Sequence, residues 1–174
     1  MVFKYVIIFL LFFIVSLLQV SFFPYFNILG ASPDLVFILF FILIFSAQEN
    51  ENYDVLFFAI TAGFFSDILL LSYFGLSMVS FLAAYCFKKL IVHFMKEARN
   101  KYLVFYFIPV FSACFVLHRF VLYVFSIFLH FEFNFGSTIF ISLMYNLVFA
   151  CIGFYAYRKA AHLGNTNRQL KLFN

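Results

Sequence analysis

Two charges stand inside apolar runs, where charge is costly. Asp67 closes the segment Gly63-Phe64-Phe65-Ser66-Asp67, and Arg119 follows His118 in a run dominated by Phe, Leu and Val. A charge in hydrocarbon costs at least ~2.5 kcal/mol on insertion scales, so it is normally paired or functional. Both residues lie about two-thirds of the way along runs that cross in the same direction. The expected arrangement is a buried clasp between Asp67 and Arg119, which offsets part of each desolvation cost. A ligand or proton site is the alternative, as is a protonated Asp67. His118 is about 100° around the helix from Arg119 and reads as a satisfied polar residue rather than a ligand.

Other reactive residue types are present without a reactive pattern. Asp34 and Glu132 fall on one side of the threading below and would allow a carboxylate pair. Asp34, following Pro33, is better read as the cap of the helix that opens there, since its side chain can accept from free amides. Cys86, Cys114 and Cys151 sit singly in apolar runs, with no CxxC pair and no metal-ligand spacing. GxSxG, HExxH and P-loop signatures are absent. No acid, base and nucleophile come together, so neither catalysis nor a cofactor or metal is expected.

The elements that carry these residues follow from composition. The chain has 174 residues, 67% hydrophobic, 25% aromatic and only 10% charged. A soluble domain of that size cannot hide so much apolar surface, so the expected solvent is lipid. The expected fold is all-α: a bundle of six transmembrane helices at about 5–23, 34–47, 55–71, 76–92, 102–130 and 138–157. Residues 1–163 form one membrane domain and 164–174 a polar tail. Met1 to Phe23 resembles a signal peptide, but the run is long and no A-x-A site follows, so an uncleaved first helix is expected. Pro24 ends that helix, and Pro109 kinks the fifth or marks its first turn. Arg158 and Lys159 stop the sixth.

Charge orients the bundle. Of eleven Lys and Arg residues, all but Arg119 fall on one side of this threading. Basic residues in short loops stay cytoplasmic, so both termini are expected in the cytoplasm. The net charge is +4. Its carriers cluster beside helix ends, where anionic lipid headgroups account for them; nucleic acid is not an expected partner. The first inner loop is acidic, with Glu49, Glu51 and Asp54, which counts little in the orientation rule.

Membrane helices associate through small and polar residues, because lipid offers no hydrophobic drive. Such residues form stripes here: Ala59, Ala62, Gly63, Ser66 and Asp67 in the third helix; Gly75 at the turn with Ser77, Ser80 and Ala84 in the fourth. Ser112, Arg119, Tyr123 and Ser126 share a side of the fifth, and Ser142, Asn146, Ala150, Gly153 and Tyr157 a side of the sixth. Each stripe is expected to face the bundle interior. The stripe through Ala59, Gly63, Ser66, Gly75, Ser77 and Ser80 reads either as ordinary helix packing or as the face that meets a partner.

Several of these residues form an ordered set: Gln19 and Pro24 closing the first helix, Pro33-Asp34-Leu35 opening the second, Gly63-Phe64-Phe65-Ser66-Asp67, then Gly75. The set resembles the rod shape-determining protein MreD family, in motifs over the first half of the chain and in length and helix pattern over the whole. Where that family often has a second glycine ahead of the third-helix segment, this chain has the acidic stretch Glu49 to Asp54. The resemblance implies a small, non-enzymatic protein of the bacterial inner membrane that supports side-wall peptidoglycan synthesis and cell shape. It implies association with the bitopic scaffold MreC, the glycosyltransferase RodA, its penicillin-binding transpeptidase and, indirectly, MreB filaments. It also implies a fold similar to the substrate-binding subunits of energy-coupling-factor vitamin transporters. Such a transporter subunit is the alternative function, although the short turn Ser72 to Gly75 and the scarcity of convergent polar groups favour the scaffold.

Overall fold

Every regular element among the described residues of the computed structural model is a helix; these residues are 2–27, 30–47, 52–69, 73–94, 103–129 and 138–170. The chain runs through α1 (Val2–Ser21), a 3-10 turn (Phe23–Phe26), α2 (Leu35–Ser46), α3 (Asn52–Leu69), α4 (Leu76–Phe94), α5 (Leu103–Leu129) and α6 (Thr138–Leu170). The acidic residues Glu49 and Glu51, the loop cations Lys96, Arg99 and Lys101, Glu132 and Lys171 lie outside the described residues. Within α1, α4, α5 and α6, the segments Phe3–Ser21, Leu76–Phe94, Tyr106–Leu129 and Thr138–Ala160 are long and apolar enough to cross a membrane. Their outer faces are apolar too: Leu10, Ile14 and Leu18 on α1, and Val148 and Ile152 on α6, are exposed. The chain is therefore a multi-pass membrane protein.

Two boundaries differ from expectation. Pro24 lies in the first turn of the 3-10 segment, after α1 has already ended at Ser21. Arg158 and Lys159 do not stop α6, which continues to Leu170. Charge ends the apolar span, at Ala160. It does not end the helix, because Arg, Lys, Ala and Leu are all good helix formers.

The shortest helix sits at the centre. α2 has 12 residues, well below the ~20 needed to cross hydrocarbon in contact with lipid. Its surroundings are protein instead. Phe37, Phe40, Phe41 and Ile44 are fully buried, as expected of a helix apolar on every side. Phe37 meets Phe81 of α4 and Phe111 and Phe115 of α5. Phe45 meets Phe154 of α6, while α1 and α3 also pack on α2. All five other described helices thus touch α2. The face of α5 turned inward is Phe107, Phe111, Cys114, Phe115 and His118. That is a correction to the fifth-helix stripe: Ser112 and Arg119 are only partly buried. Phenylalanine rings fill the wide gap around a lone central helix better than small residues do.

Small residues serve where helices touch directly. A Cβ added at Gly63 would lie 2.5 Å from the Cα of Met78, so α3 and α4 meet backbone to backbone there. Ala59, Ala62, Ser66, Ser77 and Ser80 are buried around this contact. The face through Ala59, Gly63, Ser66, Ser77 and Ser80 is thereby occupied by the chain's own packing and does not seat a second protein. At Gly153 a Cβ would come within 2.9 Å of Ile42 Cδ1, which marks the approach of α6 to α2.

Successive helices alternate in direction. The starts of α2, α4 and α6 gather with the finishes of α1, α3 and α5, as the bonds Val36–Gln19, Asp34–Asn146 and Tyr73–Leu129 show. At the opposite end, Lys4 and Tyr5 both donate to the Asp54 carboxylate and tie α1 to α3. Lys88 and Arg158 line a common cavity there. Lys4, Lys88, Lys89, Arg158 and Lys159 all belong to this second, basic end.

Candidate functional site

The first amides of a helix have no partner within it. On the surface water supplies one, but α2 begins inside the bundle, so side chains must. Asp34 is the N-cap, and its Oδ1 accepts from Phe37 N at 3.1 Å. Gln19 of α1 accepts from Val36 N through Oε1 at 3.0 Å, and its Nε2 donates to Asp34 Oδ1 at 3.5 Å. Asn146 of α6 accepts from the backbone N of Asp34 at 2.6 Å. Its own amide nitrogen donates to Ser142 O at 2.7 Å, which fixes its orientation. Two other helices and its own cap residue thus satisfy one buried helix start.

The same carboxylate faces a buried histidine and a partly buried arginine. Asp34 Oδ2 lies 3.7 Å from His118 Nε2 and 3.8 Å from a terminal nitrogen of Arg119. Both exceed hydrogen-bond length, and the Arg119 contact is an ion pair. The His118 ring lies between Phe37 and Phe81, with centroids 4.8 and 4.9 Å away. The Arg119 guanidinium stands 5.3 Å over the Phe115 ring, a cation–π contact. A cavity of about 110 Å3, lined by Gly30, Ala31, Ser32, Thr138, Ile139 and Ser142, opens beside Arg119.

The expected clasp between Asp67 and Arg119 is corrected here, because each has a different partner. Asp67 accepts from Gly75 N at 2.7 Å and from Ser77 N at 2.9 Å, so it caps the start of α4 from the end of α3. Gly75 has φ of +93°, a conformation glycine adopts without strain, and this turns its amide onto the carboxylate. The free amides of the next helix lie eight and ten residues away in the chain. An arginine on α5 is a far less local competitor. Asp67→Asn keeps one good acceptor of two and should lower stability by about 1 kcal/mol; Asp67→Ala should cost roughly twice that. Thermal melting in detergent measures both. Exchanging Asp67 with Arg119 should rescue neither, since a guanidinium cannot accept from the α4 amides.

The central helix is also tied at its far end, where Lys88 donates to Ile44 O at 3.0 Å. Cys114 donates to Ala84 O at 3.6 Å, a contact between α5 and α4. Among the described residues no three His, Cys, Asp or Glu side chains come together as a metal site. Sequence reading placed Asp34 as a cap but missed that Gln19, His118 and Asn146 converge on it. The available signal was depth: each lies toward the same end of the bundle once the helices alternate in direction. Compared with protein-family models, curated proteins and solved structures, the chain matches none.

Proposed function

We propose that this chain spans a bacterial cytoplasmic membrane six times, with both termini in the cytoplasm. In this reading it acts by contact, as a non-enzymatic subunit of the cell-elongation complex similar to the MreD family. The observation that carries it is the use of the motif residues. Gln19, Asp34, Asp67 and Gly75 are all engaged at helix starts. They build a stiff bundle rather than a reaction centre. Six crossings are supported by the alternating direction of the helices: α2 and α3 join the same two ends as the four longer ones. The cytoplasmic side is the basic end, by the positive-inside rule. The partners are a bitopic MreC-like scaffold, RodA with its penicillin-binding transpeptidase and, indirectly, MreB. Because the Gly63 face is occupied internally, the scaffold is to be sought on the outer faces of the bundle.

One observation favours the alternative of a vitamin-binding transporter subunit: the cavity beside Arg119. At about 110 Å3 it is small against the ~300–1,000 Å3 of sites for drug-sized ligands. The two readings part on depletion. Cells lacking an elongation subunit should become round while still making septa, with vitamin uptake unchanged. Normal shape with a specific uptake defect would establish the transporter. Reporter fusions at Gln48, Asn100 and Asn174 should read cytoplasmic and those at Leu29 and Asn134 periplasmic; a periplasmic signal at Asn174 would exclude six crossings.

A further inference from the structure

The basic end contains a cavity of about 240 Å3 between the finishes of α2 and α4, the end of the apolar part of α6 and the start of α5. Its polar lining is Lys88, Arg158, Ser46, Tyr106 and Tyr157, and its walls include Phe45 and Phe154. Two cations seventy residues apart in sequence therefore face one space, and no carboxylate is among the described lining residues. Charge of one sign around a cleft with low-dielectric walls attracts a counter-ion strongly. The hydroxyls of Ser46, Tyr106 and Tyr157 add hydrogen-bonding groups suited to phosphate oxygens.

Depth decides what that anion is. Lys88 and Arg158 lie near the ends of the apolar segments Leu76–Phe94 and Thr138–Ala160. In a bilayer that is where lipid headgroups begin. We propose that this cavity binds the phosphodiester headgroup of an anionic glycerophospholipid, with Lys88 and Arg158 as its cationic contacts. The aromatic walls face the upper part of the acyl chains. A zwitterionic lipid brings its own cation into a pocket that already holds two, so the anionic class is selected. Lys88 also donates to Ile44 O, at the finish of α2. The site therefore couples a bound lipid to the end of the central helix, whatever protein partner the bundle has.

The test uses the full chain purified in detergent. Phosphatidylglycerol, phosphatidylcholine or inorganic phosphate is added back, and binding is read by native mass spectrometry and by the melting temperature. Phosphatidylglycerol should stay bound and raise the melting temperature, while phosphatidylcholine and inorganic phosphate should do neither. Arg158→Gln, at an exposed position, should fold normally and bind phosphatidylglycerol about fivefold more weakly, the worth of one basic residue at an anionic surface. Lys159→Gln alters the neighbouring exposed cation, which does not line the cavity, and should leave binding unchanged. Equal losses in the two variants would reduce the effect to general surface charge and overturn the site. Equal protection by phosphatidylcholine would overturn the anionic selection, and protection by inorganic phosphate alone would overturn the lipid.

Discussion

Gly63→Leu leaves the protein inserted in the membrane but unable to hold α3 against α4. The first added carbon is enough to begin the damage. A Cβ at position 63 meets Met78 Cα at 2.5 Å and Met78 N at 2.6 Å, and backbone atoms cannot rotate aside. The helices must separate, and the buried contacts among Ala59, Ala62, Ser77 and Ser80 loosen with them. Overpacking of this kind costs about 1–3 kcal/mol for a small addition, so Gly63→Ala should already lower the melting temperature and Leu should exceed it. Insertion is spared, because leucine favours the bilayer. The discriminating measurement compares total inserted protein with the fraction that elutes as a single species after extraction. Leu should leave the first unchanged and reduce the second several-fold. A monodisperse Gly63→Leu protein that melts like wild type would show that α3 and α4 do not approach as described.

Asp34→Ala should be the most damaging change among the polar residues. It removes the acceptor for Phe37 N and the carboxylate facing His118 and Arg119. Loss of a cap costs ~0.5–2 kcal/mol, and a charge left without its counter-charge in the interior costs several more; Arg119 is partly exposed, which lowers that part. About 2–4 kcal/mol is expected in total. Asp34→Asn keeps the acceptor and removes the charge, so it should fall between wild type and Ala. Adding Arg119→Gln to Asp34→Asn should recover part of the loss, and a double-mutant cycle measures the coupling directly. Equal melting of Asp34→Ala and wild type would mean that α2 does not depend on this junction.

The sequence disclosed helices more readily than neighbours. Long apolar runs broken by Pro, Gly and charge place the described helices close to where they lie, the finish of α6 excepted, because hydropathy and helix-ending residues are local properties. Asp34 was legible as a cap for the same reason: the amides it serves are two or three positions away. The partners of Asp67 and Arg119 were not. Matched depth suggested a pair, but depth leaves the angle around the bundle open, and local capping decided the outcome. Stripes of small residues likewise mark close contact without saying with what. The Gly63 stripe read as ordinary packing or as a partner face, and Met78 lies against it. The central place of α2 had one sign in the sequence, a length too short for lipid.

The order of synthesis gives that central helix a further meaning. α2 leaves the ribosome before α5 and α6, yet the side chain that holds the backbone of its cap, Asn146, belongs to α6. Phe111 and Phe115, which pack on Phe37, also arrive late. The emerging chain must therefore keep its eventual core waiting at the edge of a half-made bundle until α5 and α6 dock, so that the core is closed by helices made after it.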